Sequence, residues 1–335
     1  MGDFLPILWY FLLVLSITPF IILDGADLGI GLLSINVNES RRSAMLAAIG
    51  PVWYANETWL VVAGASLFGA FPVAYGFILS SLYVPVMMLL FGLIFRAVSM
   101  EFRRHSERPR FWDIFLGIGC LLAVLGQGFI FGGLFSNLRI EEGLFIGGAW
   151  DWLNPVSMLM AVGVMAACSM LGAAQLVRKM GKTAQVQNRR LLTGSASVGV
   201  ALFVAVTAVV LTGHAPVSPL WTKPPQVYLV PLFLVVTLIG LAMVLVTSAA
   251  GKNDRAPYIW SVVVFLSTTV ATISGIFPYF VPFSLPIVDA VSPQSSLIFM
   301  LFGAGIILPL IVVYNIYIHR VFDRKVPAKN AEEQY

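Results

Sequence analysis

The first long apolar run of the chain ends with Phe20-Ile-Ile-Leu-Asp-Gly-Ala-Asp-Leu-Gly-Ile-Gly31, where two carboxylates interrupt the hydrophobic pattern. The run begins near residue 6 and is long enough to cross a membrane as a helix. Charged groups are costly in hydrocarbon, so carboxylates in such a helix usually face protein or water and mark a proton or ion path. Asp24 and Asp27 are therefore the first candidates for chemistry.

The composition of the whole chain is that of a polytopic membrane protein. Of its 335 residues, 59% are hydrophobic and only 11% are charged, with a mean hydropathy of +0.90. The start, Met-Gly-Asp-Phe-Leu-Pro, lacks the basic segment of a signal peptide, so we expect the first apolar run to be retained as a span. The basic residues lie in short loops, which argues against nucleic acid as a partner. We expect one membrane domain over residues 1–335.

Nine apolar stretches of about 20 residues or slightly more can be drawn, each long enough for a helix to cross the hydrocarbon core. The stretches are 6–29, 51–71, 74–95, 113–135, 153–177, 194–213, 227–250, 257–278 and 295–318. The second and third are separated at Phe71-Pro72, because proline interrupts a helix and favours a turn. The sequence thus predicts an all-α fold with nine transmembrane helices.

The basic residues test this drawing, because Lys and Arg accumulate in cytoplasmic loops. All but two of the 20 follow spans one, three, five, seven and nine: Arg41, Arg42, Arg96, Arg103, Arg104, Arg108, Arg110, Arg178, Lys179, Lys182, Arg189, Arg190, Lys252, Arg255, Arg320, Arg324, Lys325 and Lys329. The opposite face has only Arg139 and Lys223. The pattern predicts an outside N-terminus and a cytoplasmic C-terminus, and it supports an odd number of spans.

Three carboxylates fall in the same leaflet of this topology. Asp24 and Asp27 are three residues apart and share a helix face, and Glu57 lies near the start of the second span. Clustered carboxylates in a low-dielectric setting repel one another, which favours one of them holding a proton near neutral pH, as a proton relay needs. The alternative is that they are helix-end caps or ion-pair partners, with Arg96 as the candidate cation.

Histidine and cysteine give no pattern of metal ligation. His105 lies in a predicted cytoplasmic loop, His214 at the outer end of span six and His319 at the inner end of span nine. Buried haem or copper sites need ligands within the spans, which these positions do not provide. Cys120 and Cys168 lie in apolar runs without metal-ligand spacing and are expected to be packing residues. We expect no metal site and no redox centre in this chain.

Glycine and proline mark two places where the backbone is constrained. Gly25, Gly29 and Gly31 follow one another along the first span, and small residues at such spacing let membrane helices pack closely. Gly275–Pro286 contains three prolines and is expected to end span eight at the outer face. This segment is either a rigid connector or a substrate loop.

Several motifs, in this order and spacing, resemble subunit II of the cytochrome bd-type quinol oxidases, including the cyanide-insensitive branch, over nearly the whole chain. The motifs are Asp24-Gly-Ala-Asp27-Leu-Gly-Ile-Gly31; Gly50-Pro-Val-Trp53 with Asn56-Glu57 and Trp59-Leu60; Phe95-Arg96 with Glu101-Phe-Arg103; Phe277-Pro278 with Pro282, Asp289-Ala and Ser295-Ser-Leu297; and Leu308-Pro309, Tyr314 and Val321-Phe322. Within them, the candidates for structural or ion-pair roles are Arg96, Trp53, Asn56 and Glu101.

The resemblance implies two four-helix bundles plus one peripheral helix, paired in the bacterial inner membrane with a subunit I that holds haems b and d and the quinol-oxidising loop. The complex would oxidise quinol, reduce oxygen to water and take protons from the cytoplasm. Subunit II would be a scaffold that contributes to the proton path, holds a structural quinone in some members, and has small single-helix accessory subunits as further candidate partners. The family often has an acid after the Trp of Pro-Val-Trp, where this chain has Tyr54, so Glu57 becomes the candidate there.

Two other readings stay open from the residues alone. Carboxylates in broken helices also couple ion and substrate movement in secondary transporters, although this chain has no matching pair of interrupted segments in two halves. The chain could also be a purely structural anchor subunit. A haem spectrum in the purified complex, absent from the isolated chain, would exclude a lone transporter.

Overall fold

The computed structural model describes residues 4–136, 138, 140–141, 144–212, 218–323 and 325, most of which are helical. The helices are α1 (Phe4–Pro19), α2 (Gly25–Leu33), α3 (Glu39–Ala47), α4 (Trp53–Ala70), α5 (Pro72–Ser81), α6 (Tyr83–Arg103), α7 (Pro109–Leu134), α8 (Pro155–Lys179), α9 (Lys182–Leu211), α10 (Gln226–Ala250), α11 (Ala256–Ile276) and α12 (Gln294–Val321). Two short hairpins consist of β1 (Ile140–Glu141) with β2 (Leu144–Phe145) and β3 (Tyr279–Val281) with β4 (Leu285–Pro286).

The number of membrane spans is eight or nine. Eight helical segments in the described ranges are long and apolar enough to cross a membrane, and α4 with α5 adds a ninth if the bent pair counts as one span. The class of fold, an all-helical multi-pass membrane protein, is therefore confirmed. The segments that follow spans one, three, five and seven lie at one end of the bundle, together with residues 322, 323 and 325, and we call this the basic end.

The first span is one segment of 30 residues, Phe4–Leu33, in which a π-helical turn joins α1 to α2. That turn is Phe20–Asp24, so it ends at the first of the two predicted carboxylates. A π turn inserts an extra residue per turn and re-aims the side chains around it, and such turns are frequent at functional sites. Asp24 closes this turn, and Asp27 follows in the first turn of α2.

The predicted break at Phe71-Pro72 is confirmed, but the predicted third span, 74–95, is wrong at both ends. Pro72–Ser81 forms a separate helix, α5, bent by 115° from α4, and the next span begins at Tyr83 and continues to Arg103. The apolar composition is continuous through this region, so hydropathy alone does not reveal the bend. As a result Arg96, assigned above to a loop, lies inside a membrane-spanning helix.

Two polar segments are also helical. The sixth span, predicted over 194–213, begins at Lys182, because the polar residues before 194 continue the helix beyond the apolar layer. Between the first two spans, Asn38 caps the short helix α3 by accepting a hydrogen bond from the backbone N–H of Arg41 at 3.0 Å. Neither segment is apolar, which is why a search for membrane spans does not find them.

The predicted tight contact at the first span is confirmed. A Cβ atom at Gly29 would lie 1.9 Å from the carbonyl oxygen of Cys168, and one at Gly172 would lie 2.6 Å from the backbone nitrogen of Ile30. Helices α2 and α8 therefore touch backbone to backbone, as small residues allow in membranes. This crossing fixes the height and rotation of α2, and with it the position of the carboxylates.

The predicted end of span eight is confirmed as well. Helix α11 ends at Ile276, and the chain then forms the hairpin β3–β4 and a short 3₁₀ turn, Ile287–Asp289. The hairpin packs into a core at the ends of α1 and α4 opposite the basic end, and this core includes the buried residues Tyr10 and Phe71. The segment is ordered and tied to the bundle, and its use as a substrate loop stays a prediction.

Candidate functional site

A buried arginine joins two of the three predicted carboxylates. Arg96 of α6 is fully buried, and its Nη1 donates to Oδ1 of Asp24 at 2.6 Å. Its Nη2 donates to Oε1 of Glu57 on α4. The planar guanidinium suits this bridging role, because it presents several donors in a fixed geometry. The ion pair that the sequence suggested as an alternative is therefore present, and it links three spans.

The second carboxylate of the first span has a different partner. Asp27 is fully buried, and its Oδ2 accepts a hydrogen bond from Nδ2 of Asn56 at 2.7 Å. Among the described residues, Oδ1 of Asp27, Oδ1 of Asn56 and Oδ2 of Asp24 have no hydrogen-bond partner. Buried acceptors of this kind are costly unless water or a proton satisfies them. The cluster thus has spare acceptors on neighbouring side chains.

Glu57 differs from the other two carboxylates in exposure. Its side chain is 27% exposed, whereas those of Asp24 and Arg96 are fully buried. The ring of Trp53, one turn earlier on α4, lies 5.6 Å from Cζ of Arg96, within cation–π distance. Glu57 is therefore the member of the cluster that connects its buried interior to the outside of this chain.

Tyr54 occupies the position where the resemblance implies an acid. Its ring stacks on Trp53 with centroids 3.6 Å apart, and its hydroxyl donates to Oε2 of Glu101 at 3.4 Å. Both Tyr54 and Glu101 are exposed near the basic end. The candidate Glu101 thus lies at the edge of the site and is not part of the buried ion pair.

A second network of charges, which the sequence did not indicate, lies at the basic end. Asp113 of α7 accepts from Arg42 at 2.8 Å and from Arg103 at 2.7 Å, and both arginines also pair with Glu39. Two acids and two arginines balance one another, and they fix α3 to the ends of α6 and α7. In the sequence, the two arginines indicated only the orientation of the chain in the membrane. The pairing depends on helix α3, which the hydropathy does not show.

Lys179 is a further buried charge that the sequence placed in a loop. Its side chain is 4% exposed at the end of α8, and its Nζ donates to the carbonyl oxygen of Ala48 at 3.0 Å. The contact ties α8 to the turn between α3 and α4. It explains how a lysine can be buried here, since its ammonium is hydrogen-bonded to the backbone.

The described residues do not provide a haem-ligand set. His105 is exposed, and Nδ1 of His319 lies 2.9 Å from the carbonyl oxygen of Asn315 in its own helix. His214 lies outside the described residues. Within the described ranges, no group of three or more His, Cys, Asp or Glu side chains could hold a metal ion. Among the described residues, the histidines therefore show no arrangement that would hold a haem.

These features define a multi-pass helical membrane protein with a charge cluster buried among three spans. The sequence model of the family described as "Cytochrome bd terminal oxidase subunit II" matches residues 5–322. The chain belongs to this family, and it is a subunit of a bd-type quinol oxidase complex. Such a complex contains haem, and a subunit II implies a partner subunit I.

Similar proteins match this chain over almost their full lengths. Cytochrome bd-I ubiquinol oxidase subunit 2 of Escherichia coli (strain K12) is 29% identical, with 96% of this chain and 95% of that protein covered. Cytochrome bd ubiquinol oxidase subunit 2 of Bacillus subtilis (strain 168) is 28% identical, with 96% and 97% covered. The solved bd oxidase from Geobacillus thermodenitrificans matches the fold with a TM-score of 0.80 at 17% identity, over 95% of this chain and 98% of that chain. Nothing in these comparisons supports a transporter.

Proposed function

We propose that this chain is the haem-free partner of a subunit I that carries haems b and d and oxidises quinol, in the inner membrane of a bacterium. The complex reduces oxygen to water, and this subunit supports subunit I and lines a proton-uptake path from the cytoplasm. The observation that carries the proposal is the Arg96 cluster, which joins a partly exposed carboxylate to two buried ones. Family membership indicates the reaction of the complex, and the cluster supports the role that we propose for this chain within it.

The proposed architecture is nine spans in one domain, with two four-helix bundles and α12 as the peripheral helix. Most large apolar side chains of α12 are exposed, whereas α6, α7, α8 and α9 pack in sequence against one another. The basic end faces the cytoplasm in this proposal, because basic segments are retained on that side. The N-terminus is then outside.

A reporter that works only in the cytoplasm tests this orientation. Fused after Lys329 it should be active, and inserted near Lys223, between α9 and α10, it should be inactive, because the two sites lie on opposite faces. Activity at Lys223 together with inactivity after Lys329 would contradict both the orientation and the assignment of the basic end.

Charge and exposure both favour a proton path through this cluster. One guanidinium cannot balance the three carboxylates Asp24, Asp27 and Glu57, so the cluster can hold a proton at low electrostatic cost. Unpaired acceptors on Asp24, Asp27 and Asn56 provide sites where water could extend a hydrogen-bonded chain. Glu57 stands at the exposed edge of the cluster and is the group to which a proton would be delivered first.

Glu57→Gln removes the ionisable group but keeps the shape and an oxygen that can accept from Arg96. We expect near-normal assembly and haem content in the purified complex and a several-fold lower rate of oxygen consumption. The loss should grow as pH rises, because the supply of protons then limits turnover. The measurement is quinol-driven oxygen uptake per haem from pH 6 to pH 9.

The matched control is Glu107→Gln, which removes an exposed carboxylate at the same end of the molecule, outside the cluster. It should leave the pH profile unchanged. If the Glu57→Gln complex assembles and turns over at the normal rate at every pH, Glu57 is structural, and this chain is an anchor for a subunit I that takes up protons by itself.

A further inference from the structure

A second polar site lies at the basic end, away from the Arg96 cluster. A cavity of about 300 Å³ opens where α8 and α12 end and the loop between α10 and α11 turns. Four basic side chains line it, against two acidic ones; they are Arg178, Lys252, Arg255, Lys325, Asp254 and Asp323. The loop joins two membrane spans, so the cavity lies at the depth of lipid headgroups.

Asp254 is already fully engaged by neighbouring donors. Its Oδ2 accepts from Gln185 at 2.7 Å and from Lys325 at 3.0 Å, and its Oδ1 accepts from Arg189 at 3.0 Å. Partial burial opposes ionisation, but the hydrogen bonds from Lys325 and Gln185 outweigh it and hold the pKa of Asp254 below its usual value. This carboxylate is therefore ionised at neutral pH and satisfied by its own partners.

The other carboxylate is shared loosely between two arginines. Asp323 lies 3.5 Å from Nη1 of Arg178 and 3.8 Å from Nη2 of Arg255, both longer than a charge-assisted hydrogen bond. Among the described residues, Lys252 pairs with no carboxylate. A surplus of positive charge thus remains around the cavity.

The backbone adds to the positive charge around the cavity. Helix α11 begins at Ala256 beside the cavity, and no side chain caps its first turn. The N–H groups of an uncapped helix start carry partial positive charge and favour a bound anion. Beyond the first turn, Ile259, Leu266 and Val270 form an exposed apolar stripe along α11, since they are spaced at i, i+7 and i+11. A basic cavity therefore leads directly onto a lipophilic helix face.

We propose that this cavity binds the phosphate headgroup of an anionic phospholipid, with an acyl chain along the stripe of α11. The phosphate lies between Lys252, Arg255 and the start of α11, and Arg178 closes the site from α8. Basic pockets between spans at a membrane surface recognise such headgroups by this combination of charges and apolar surface. The lipid adds to the contacts that tie the C-terminal end of α12 to α8 and α11, which include the two long contacts of Asp323 and the ion pair of Lys325 with Asp254.

The test uses the assembled complex in lipid nanodiscs. With phosphatidylglycerol in place of phosphatidylcholine, the Tm of the complex, followed by haem absorbance, should rise by several degrees, because a ligand of the folded state stabilises it. Native mass spectrometry of the complex in detergent should show a retained anionic lipid. Lys252→Gln with Arg255→Gln should lose most of the Tm shift and of the retained lipid.

Controls separate the site from general charge and from free phosphate. Arg108→Gln with Arg110→Gln removes two exposed arginines at the same end and should keep the full shift and the retained lipid. An equal shift in the Lys252/Arg255 variant and in the wild type would overturn the proposal. So would a shift of the same size from inorganic phosphate in phosphatidylcholine discs, which would make the site one for a free anion.

Discussion

Arg96→Met should abolish accumulation of the assembled complex. The substitution leaves Asp24 fully buried with no cation beside it, and it removes the partner of Glu57. Removing one member of a buried ion pair costs about 3–5 kcal/mol, because the other charge remains desolvated. A loss of that size approaches the whole stability of many domains. The measurement is the amount of haem-containing complex purified from membranes, relative to wild type.

A neutral version of the same cluster separates charge from shape. With Asp24→Asn and Glu57→Gln added to Arg96→Met, neither carboxylate that pairs with Arg96 keeps its charge, and accumulation should recover in large part. Arg96→Lys should lie between wild type and Arg96→Met, since a single ammonium cannot replace the bridging guanidinium. If Arg96→Met alone accumulates normally, the buried ion pair does not hold the three spans together.

The spans could be predicted from sequence because apolar length and loop charge are local properties. Helix α5 is not visible to these local properties, because its apolar residues continue the pattern of the spans on either side. The sequence therefore predicts a third span that begins too early. The same properties also miss the polar helix α3 and the polar first part of α9. The bend of 115° between α4 and α5 depends on packing, and no periodicity reports it.

The residues of the candidate site could be predicted from the sequence, but their contacts could be predicted only in part. The cost of charge in hydrocarbon singled out Asp24, Asp27 and Glu57, and the same argument suggested Arg96 as a cation. The spacing of the aspartates predicted a shared face, and within one cluster Asp24 binds Arg96 while Asp27 binds Asn56. Their function as proton carriers or as structural ion pairs stays a prediction that Glu57→Gln tests.

The pairing of distant charges was not predictable, because it depends on how each helix is rotated. The packing of α3 against the ends of α6 and α7 brings together Arg42, Arg103 and Asp113. Their sequence positions show that they are charged but not that they pair. The rotation of α2 is fixed instead by glycines that permit backbone contact with α8. The glycine pattern was visible in the sequence, but its partner helix was not.

Gly172→Ala should therefore disrupt the site from a distance. The new Cβ would lie 2.6 Å from the backbone nitrogen of Ile30 and 2.7 Å from the carbonyl carbon of Gly29, and backbone atoms cannot move aside as a flexible side chain can. Overpacking of this kind costs about 1–3 kcal/mol and sometimes more. We expect a complex that accumulates poorly and melts several degrees lower, because α2 must shift or rotate to relieve the clash.

The control is Gly163→Ala on the same helix, where a Cβ meets nothing within 4 Å. It should be neutral or slightly stabilising, because alanine is the better helix former.

The shift of α2 also predicts a second effect, since Asp24 precedes this helix directly and Asp27 lies in its first turn. Any Gly172→Ala complex that survives should resemble Glu57→Gln in its activity against pH if the cluster carries protons. Equal accumulation and equal melting of the two glycine variants would show that α2 and α8 do not need their backbone contact, and that the rotation of the carboxylates is set elsewhere.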